Sequence, residues 1–562
     1  MKNKFSISVV AILLFFCLNG MAQSVLVVQP GVGTLNTAVN TYKGEKIYQL
    51  KAGEWYGLNA PIENVNYHLQ IIGAEPAVAG GMPATLQTGS ATNGNPFVKM
   101  FDAKGDITIK NIYVVNADLN AQVGNEFIIQ STANTRIIID RCVIHPASSS
   151  SCIDGKAANI KTYFTNNQVI DQGHQIGAND GHFFIFTEPA KVLGVDTLLV
   201  ENNTFVCMGM GMFRDNGVLL HNYVNFNHNT FVLTKSQLNW AVKKMEDYWT
   251  NNLMFNVNTQ PYSNSWQPMP GGDVSRPKPN LIYADTLPNE VLPSSRPSIV
   301  QYNSHYRAQG FYDLITELNI FAKSKSLPNV YLFPLVWPKD SVNCREAQMF
   351  NSTGFPKFKY GNNMTDVNPQ WVDTKIYEHE ANFVKWSKPA SYIHAMAQPS
   401  GNYPSPTAWS QYWWIPSGDL SNNSVWPVFN GKYTNPQTLT GSIEGLPLGD
   451  LNWFPTQKAL WLSKKLQIEA HIKAGNTEKI NLTAISNIHV KSTTVYPNPA
   501  KNEVNIKGVQ NAEITILSLD GRILKSVKNV TRINVSDIAN GSYLITVKEG
   551  NTTSTEKLMI QK

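Results

Sequence analysis

A short unit of alternating apolar and polar residues recurs between residues 107 and 255, and this repeat restricts the possible folds more than any other feature. Each copy pairs a strand-like run with a tight turn. The copies align on Ile109, Ile139, Phe164, Val200, Phe226 and Trp249, with steps of 30, 25, 36, 26 and 23 residues. Steps just above twenty residues, with insertions, suit one turn of a parallel β-helix, whereas propeller blades need about 40 to 45.

The turns of the repeat carry an Asn at one shared position: Asn167, Asn203, Asn229 and Asn252. Asn tolerates the left-handed conformation that a tight turn requires, and stacked Asn side chains can hydrogen-bond to neighbouring coils. Stacking also buries a continuous core that no single coil could build. The repeat, with a first coil between residues 33 and 73, resembles the right-handed parallel β-helix of the pectin-lyase-like superfamily. We assign this solenoid to residues 23–310; a β-sandwich or propeller is the alternative.

The chain that follows, residues 311–474, is rich in loops and aromatic residues. We predict that it caps the solenoid or covers one of its faces. Its segment 445–455 is similar to a closing segment of secreted Bacteroidetes β-helix proteins, residues 456–474 have the pattern of an amphipathic helix, and 475–491 is predicted to be a linker. The tryptophans of this region could stack on sugar rings, although core or lid packing is the more common role of Trp. They are Trp371, Trp386, Trp409, Trp413, Trp414, Trp426 and Trp453.

Residues 492–562 alternate apolar and polar residues between turn signals, which predicts a small antiparallel Ig-like β-sandwich. Four motifs occur in order: Pro497-Asn498-Pro499, Leu519-Asp520-Gly521-Arg522, Gly541-Ser542-Tyr543 and a basic C-terminus. Together they closely resemble the C-terminal (Por) sorting domain of proteins exported by the type IX secretion system of Bacteroidetes. The resemblance implies that the secretion machinery is a partner of this domain. An unrelated Ig-like binding module is the alternative.

The first 22 residues resemble a secretory signal peptide, with Lys2 and Lys4 before an apolar run that ends near Ala22. A membrane anchor is the alternative, but the run is short for a bilayer, and no membrane span is expected in the mature chain. We therefore predict export through the periplasm to the outer cell surface or the medium. The formal charge of +6 comes from the two ends, +2 from residues 1–22 and +4 from 491–562, so the neutral middle argues against a nucleic-acid partner.

The exported chain has four cysteines, Cys142, Cys152, Cys207 and Cys344, which permit two disulfides in any of three pairings. Cys142 and Cys152 are the nearest in sequence. Buried unpaired cysteines are the alternative.

A second strand follows each turn, and if these strands stack as one sheet, charged residues form a column along it. Polysaccharide lyases of this fold use such a column: carboxylates bind calcium against a uronate carboxylate, and a Lys or Arg removes the neighbouring proton. On that resemblance Asp154, Glu188 and Asp215 are candidate calcium ligands. Lys243, Arg214 and His182 are candidate bases.

The predicted function is thus a carbohydrate-active protein of all-β fold, a lyase of uronate-containing extracellular polysaccharide. A glycoside hydrolase that pairs Asp180 with Asp215 is one alternative, because two carboxylates at a defined separation suffice for that chemistry. A non-catalytic glycan-binding protein and a structural surface protein are two others. Charged columns also occur as solvated surfaces with ion pairs between coils, and a similar row on the other strands warns of this: Lys110, Asp140, Glu201 and Asn227.

Overall fold

The computed structural model describes residues 23–78, 80–173, 181–188, 194–215, 220–235, 238, 243–259, 261–263, 293–324, 326, 329–332, 350, 353–396, 413–415, 426–480, 494–509, 512–518, 523–549 and 552–562. The predicted signal peptide lies outside these residues, as does most of the predicted linker. The chain divides into two compact units, one from Gln23 to Ile480 and one that contains the C-terminal residues from Asn481 to Lys562.

The first unit is a solenoid of three parallel sheets, with one strand of each sheet contributed in turn by successive coils. Sheet 1 contains β1 (Ser24–Val27), β3 (Lys46–Leu50), β6 (Leu69–Gly73), β9 (Ile107–Lys110), β12 (Arg136–Asp140), β15 (Lys161–Thr165), β18 (Thr197–Glu201), β21 (His221–Asn227), β23 (Lys244–Thr250), β26 (Ser298–Gln301) and β29 (Phe358–Gly361). Sheet 2 contains β2 (Gly31–Val32), β4 (Trp55–Gly57), β7 (Ala84–Gln87), β10 (Ile112–Val115), β13 (Val143–Ile144), β16 (Gln168–Gln172), β19 (Thr204–Met208), β22 (Thr230–Thr234), β24 (Leu253–Val257), β27 (Ser304–Tyr306) and β30 (Met364–Thr365). Sheet 3 contains β5 (Ile62–Glu63), β8 (Lys99–Ala103), β11 (Glu126–Gln130), β14 (Ser151–Gly155), β17 (His182–Phe186) and β20 (Phe213–Asp215).

In the described part of the first unit, five helices and a two-stranded antiparallel sheet accompany the three parallel sheets. The helices are α1 (Thr34–Tyr42), α2 (Gln309–Ser324), α3 (Lys375–Met396), α4 (Pro436–Leu439) and α5 (Pro455–Lys473). Short 3₁₀ turns occupy Lys43–Glu45, Pro293–Ser295 and Leu451–Trp453. The two-stranded sheet pairs β25 (Pro261–Ser263) with β28 (Val330–Leu332) in antiparallel register. Among the described helices, none has the length and apolar composition that a membrane crossing demands.

The register of sheet 1 confirms the alignment of the repeat. The residues on which the copies align face one another on successive strands: Ile109, Ile139, Phe164, Val200, Phe226 and Trp249. All of them are buried in one continuous core. The rings of Phe226 and Trp249 stack with centroids 4.2 Å apart. The parallel β-helix predicted from the sequence is therefore the fold of the first unit.

The predicted Asn positions form a hydrogen-bonded ladder between sheets 1 and 2. Each side-chain oxygen accepts the backbone N–H of the equivalent residue one coil earlier, as Asn229 Oδ1 does from Asn203 N at 3.1 Å and Asn167 Oδ1 from Cys142 N at 2.8 Å. Each Nδ2 donates to a sheet 1 carbonyl, as Asn229 does to Val200 O at 2.9 Å. The ladder continues through Asn303 to Asn363. The coils thus extend past the predicted boundary at residue 310 and end with β30.

The left-handed conformation belongs to the residue before each ladder Asn, which corrects the prediction. Positive φ occurs at Asn166 (61°), Asn202 (54°), His228 (54°) and Asn251 (58°). The ladder Asn is therefore selected for its hydrogen bonds, because its neighbour makes the turn.

The outer face of sheet 2 is covered by chain from the aromatic region. Its residues Ile170, Val206 and Phe255 pack in one cluster with cover residues that include Trp371 and Trp413. A second column of left-handed residues lies within the strands of this sheet: Asp171, Cys207, Leu233 and Asn256. Two of them hold the cover, because Asp171 accepts hydrogen bonds from Trp414 N and Ile415 N, and Asn256 Nδ2 donates to Glu380 Oε2 of α3 at 2.9 Å.

A strap, residues 442–453, runs along the turns between sheets 1 and 2. Its Ile443 N donates to Asn251 Oδ1, its Asp450 N to Thr230 Oγ1 and its Leu451 N to Asn202 Oδ1. The fully buried His228 donates from Nδ1 to the carbonyl of Gly449 and contacts Glu444 through Nε2. Gly449 has φ 71°, and a Cβ there would lie 2.3 Å from Thr230 Oγ1, so only glycine fits.

Cys142 and Cys152 are free and buried, so the pairing of Cys142 with Cys152 that proximity suggested does not form. Cys207 is buried in sheet 2. Cys344 lies outside the described residues.

The C-terminal unit consists of two antiparallel sheets. One contains β31 (Thr494–Tyr496), β32 (Glu503–Lys507) and β35 (Arg532–Asn534), and the other β33 (Ala512–Ser518), β34 (Ile523–Val530), β36 (Gly541–Glu549) and β37 (Thr552–Ile560). Both sheets contribute to its core, with Ile506 and Ile533 from the first and Ile514 and Ile545 from the second. This is the small β-sandwich predicted from the sequence.

Candidate functional site

The candidate site is the outer face of sheet 3, where the register decides which side chains face solvent. Two adjacent residues of each strand point into the core, such as Phe127 and Ile128 of β11 and Phe183 and Phe184 of β17. The next residue of each strand points outward, and these residues form one column: Asp102, Ile129, Asp154, Ile185 and Arg214. Asp154 and Arg214 therefore share a face.

Glu126, the first residue of β11, is the most perturbed acid of this face. Its side chain is buried, and within the described chain its Oε2 has no hydrogen-bond partner. Burial and, to a lesser extent, the negative charge of Asp154 raise the pKa of Glu126 to about 7, against the opposing effect of Lys156 and Lys99. A carboxyl group that is half-protonated near neutral pH can act as a general acid.

Asp154 lies on the next strand, and its carboxylate is held by two donors. Thr187 Oγ1 donates to Oδ1 at 2.6 Å, and Lys156 Nζ lies 3.2 Å from Oδ2. Burial raises the pKa of Asp154, whereas both donors lower it. The two acids thus have different environments, since Asp154 is hydrogen-bonded and Glu126 is not. Such a difference separates the roles of paired carboxylates.

One end of the face is an ion-pair network. Lys104 Nζ lies 2.6 Å from Glu63 Oε2, and Lys99 bridges Glu63 and Asp102. Side-chain hydrogen bonding to Lys104 lowers the pKa of Glu63. This end has the surface ion pairs that the sequence offered as the alternative to a catalytic column.

The three candidate bases lie in different surroundings. His182 is 2% exposed, and burial, together with the charge of Arg214, lowers its pKa to about 3. Arg214 is half-buried on the outward column of Asp154. Lys243 is half-buried one residue before β23, and its carbonyl accepts a hydrogen bond from His221 N. Their roles in proton transfer stay predictions.

The three candidate calcium ligands do not all share one face. Asp215 is in register with Phe186 and Gly155 and points inward, one column away from Asp154. Its Oδ2 accepts from His221 Nε2 at 3.0 Å, since His221 Nδ1 already accepts the N–H of Val195. Glu188 is buried just after β17. Over the described ranges, no three His, Cys, Asp or Glu side chains are grouped so that they could hold a metal ion. Calcium binding stays a prediction, and Asp180 lies outside the described residues.

The similar row on sheet 1 has structural partners. Asp140 Oδ1 accepts from Thr165 Oγ1 at 2.9 Å, and Asn227 Oδ1 accepts from Thr250 Oγ1 at 2.9 Å. Glu201 forms an ion pair with Lys465 of α5. Asp140 and Asn227 thus link neighbouring coils, and Glu201 fastens α5 to the solenoid.

Several tryptophans of the cover are packed inside it. Trp413, Trp371 and Trp414 are buried, the first completely. Trp409 lies outside the described residues. The buried rings are not available for stacking on sugars, which favours core packing as their role.

Glu126 was not among the candidate residues predicted from the sequence. The available signal was a carboxylate directly before three apolar residues, Phe127, Ile128 and Ile129, in a chain with few charges. Its raised pKa depends on burial and on Asp154, which is 28 residues away in sequence and one strand away in space.

One family of known proteins matches the chain. Residues 494–561 match the family described as secretion system C-terminal sorting domain. No curated protein has detectable sequence similarity to the chain. The match confirms the prediction made from the four C-terminal motifs. Domains of this family mark proteins that are secreted through the type IX system to the cell surface or the extracellular space.

Proposed function

Given a parallel β-helix that ends in a type IX sorting domain and is exported to the cell surface or beyond, we propose that the unit Gln23–Ile480 cleaves an extracellular polysaccharide on the outer face of sheet 3. The observation that carries the proposal is Glu126. A buried carboxyl with a pKa of about 7 and an unpaired oxygen destabilises a fold, and such groups are concentrated at functional sites.

In the proposed mechanism, Glu126 and Asp154 divide the acid–base work. Glu126 holds its proton near neutral pH and donates it to the glycosidic oxygen of the leaving group. Asp154 pairs with Lys156 and accepts from Thr187, which favour its charged form, and it stabilises the positive charge that develops on the sugar or activates a water. Burial raises the pKa of Glu126 and the charge of Asp154 adds to this effect, so the two groups are coupled. This chemistry is that of a glycoside hydrolase with paired carboxylates.

Calcium-assisted β-elimination on a uronate-containing polysaccharide is the second candidate. It is favoured by Arg214, which shares the outward column of sheet 3 with Asp154 and could neutralise a uronate carboxylate or take its neighbouring proton. Asp154 and Glu188 are the proposed oxygen ligands of calcium in this case. Lys243 and His182 are the other proposed bases, although the lowered pKa of His182 makes it a weak one.

The test is an assay of the purified full chain on neutral and uronate-containing polysaccharides, with calcium and with a chelator. Two products are recorded: new reducing ends, and the ultraviolet absorbance of unsaturated uronates. The variants are Glu126→Gln and Asp154→Asn, and the matched control is Glu63→Gln, an ion-paired acid on the same face. Reducing ends without absorbance, lost in both variants and kept in the control, would support hydrolysis.

Absorbance that requires calcium and is lost in Arg214→Ala or Lys243→Ala would establish β-elimination instead. A chain that releases neither product from any polysaccharide would overturn the enzymatic proposal. Glycan binding or a structural role would then be the better account.

A further inference from the structure

A cationic cleft lies on the outer face of sheet 1, away from the proposed catalytic face. It is a cavity of about 350 Å³ between the end of α5 and strands β23, β26 and β29. In the sheet, Tyr248, Ile299 and Lys359 are register partners on these three strands. The floor of the cleft therefore consists of a tyrosine, an isoleucine and the stem of a lysine.

Three lysines line the cleft: Lys357 and Lys359 from the β29 segment, and Lys473 from the last turn of α5. In the described part of the chain none of the three forms a salt bridge or a side-chain hydrogen bond. Lys473 Nζ lies 5.2 Å from the ring centroid of Tyr223. The lysines contrast with those of sheet 3, where Lys99, Lys104 and Lys156 each have a carboxylate partner.

The negative groups facing the cleft do not balance these charges. Glu246 is the carboxylate among the lining residues, and its Oε2 already accepts the hydroxyl of Tyr248 at 3.0 Å. The carbonyl end of α5 is capped, because Gly475 (φ 75°) donates from its N–H to Ile472 O at 2.9 Å. Lys473 also interacts electrostatically with Glu469, one turn earlier on α5. The lining still has a net positive charge, and the ammonium groups of Lys357 and Lys359 can pair with an anion.

We infer that this cleft binds an acidic polysaccharide, with the lysines pairing with carboxylate or sulfate groups and the ring of Tyr223 or Tyr248 bounding the sugar. The choice of a saccharide as the ligand rests on the proposed function. The positive charge and the size of the cavity are observed independently of it. A cavity of this size is at the lower end of those that hold small ligands, and it has room for a short saccharide segment. The cleft would hold the polymer at a second place while sheet 3 acts on it, which raises the local substrate concentration.

The test measures binding with polymers that share one backbone: neutral dextran, carboxymethyl-dextran and dextran sulfate. Affinity gel electrophoresis of the full chain gives a dissociation constant for each polymer without any catalytic readout. The variant replaces the three cleft lysines together, as Lys357→Gln, Lys359→Gln and Lys473→Gln. The matched control makes the same change in charge at three exposed lysines of the cover, as Lys375→Gln, Lys385→Gln and Lys432→Gln.

The cleft variant should raise the dissociation constant for an anionic polymer roughly tenfold or more, because three charge-assisted contacts are lost. The control should change it less than about twofold, and salt should weaken the wild-type binding. Tighter binding of carboxymethyl-dextran would identify carboxylate as the recognised group, and tighter binding of dextran sulfate would identify sulfate. Equal weakening in both triple variants, equal binding of neutral dextran, or no binding of either anionic polymer would overturn the inference.

The result can be separated from that of the proposed function. Glu126→Gln should abolish cleavage and leave the gel mobility shift unchanged. If no polysaccharide is cleaved, the lysine experiment still decides whether the cleft binds acidic polymers. Tryptophan emission of each variant confirms that the unit is folded.

Discussion

Replacement of one ladder residue, Asn229→Ala, should destabilise the solenoid by about 4 kcal/mol. The side chain is fully buried and makes four hydrogen bonds, two as donor and two as acceptor. Its loss leaves the backbone N–H of Asn203 without an acceptor and takes a donor from the carbonyl of Val200. A buried polar group without a partner costs about 1 to 3 kcal/mol, and a small cavity adds to the sum.

The assay is guanidinium denaturation followed by tryptophan emission. All 13 tryptophans lie between residues 55 and 461, so the signal reports only the first unit. The matched control is Asn222→Ala. Asn222 is an exposed residue of β21, the sheet 1 strand that precedes Asn229, and its replacement should change the free energy of unfolding by less than about 0.5 kcal/mol. The double variant with Asn203→Ala should cost less than the sum of the two single changes, because these residues share two bonds. If Asn229→Ala unfolds at the same denaturant concentration as Asn222→Ala, the ladder does not stabilise the stack.

Three further results are expected. Glu444→Ala leaves the buried His228 ring without its carboxylate partner, so mass spectrometry should show faster amide exchange across the strap than in the exposed control Glu478→Ala. The pKa of the Glu126 carboxyl is raised in the folded state, so this carboxyl destabilises the fold only when it is charged: not at all below its unfolded pKa, and fully above about pH 7. Glu126→Gln should therefore stabilise the unit near pH 8 and leave its stability unchanged near pH 4, as measured by the same emission assay. A chain without residues 494–562 should remain in the cell envelope, as immunoblots of cell fractions would show, and its appearance in the medium would contradict the sorting role.

The coil stack could be predicted from the sequence because each coil interacts with its nearest neighbours. The register of Ile139 with Ile109 and Phe164 follows from local patterns that repeat. The turn conformation was assigned one residue late, because Asn occupies both positions in pairs such as Asn166-Asn167 and Asn251-Asn252. His228 takes the left-handed position in another coil, where the residue is neither Asn nor Gly.

The proposed catalytic face was harder to predict because sheet 3 breaks the alternation of inward and outward residues. Two successive residues of a strand, such as Phe183 and Phe184, both point into the core. Every later residue of that strand therefore faces the side opposite to the one that strict alternation predicts. Asp215 consequently faces inward to His221, whereas Asp154 faces outward. The raised pKa of Glu126 depends on burial, which the sequence does not give.

The most direct test of the account is the pH dependence of polysaccharide cleavage by the wild-type chain and by Glu126→Gln. If Glu126 is the acid, the kcat/KM of the wild type should fall as pH rises through about 7, because the carboxyl loses the proton that it must donate. The variant should lose activity by about 100-fold or more at low pH and should show no such decline. A variant that cleaves at the wild-type rate with the same pH profile would contradict the central claim.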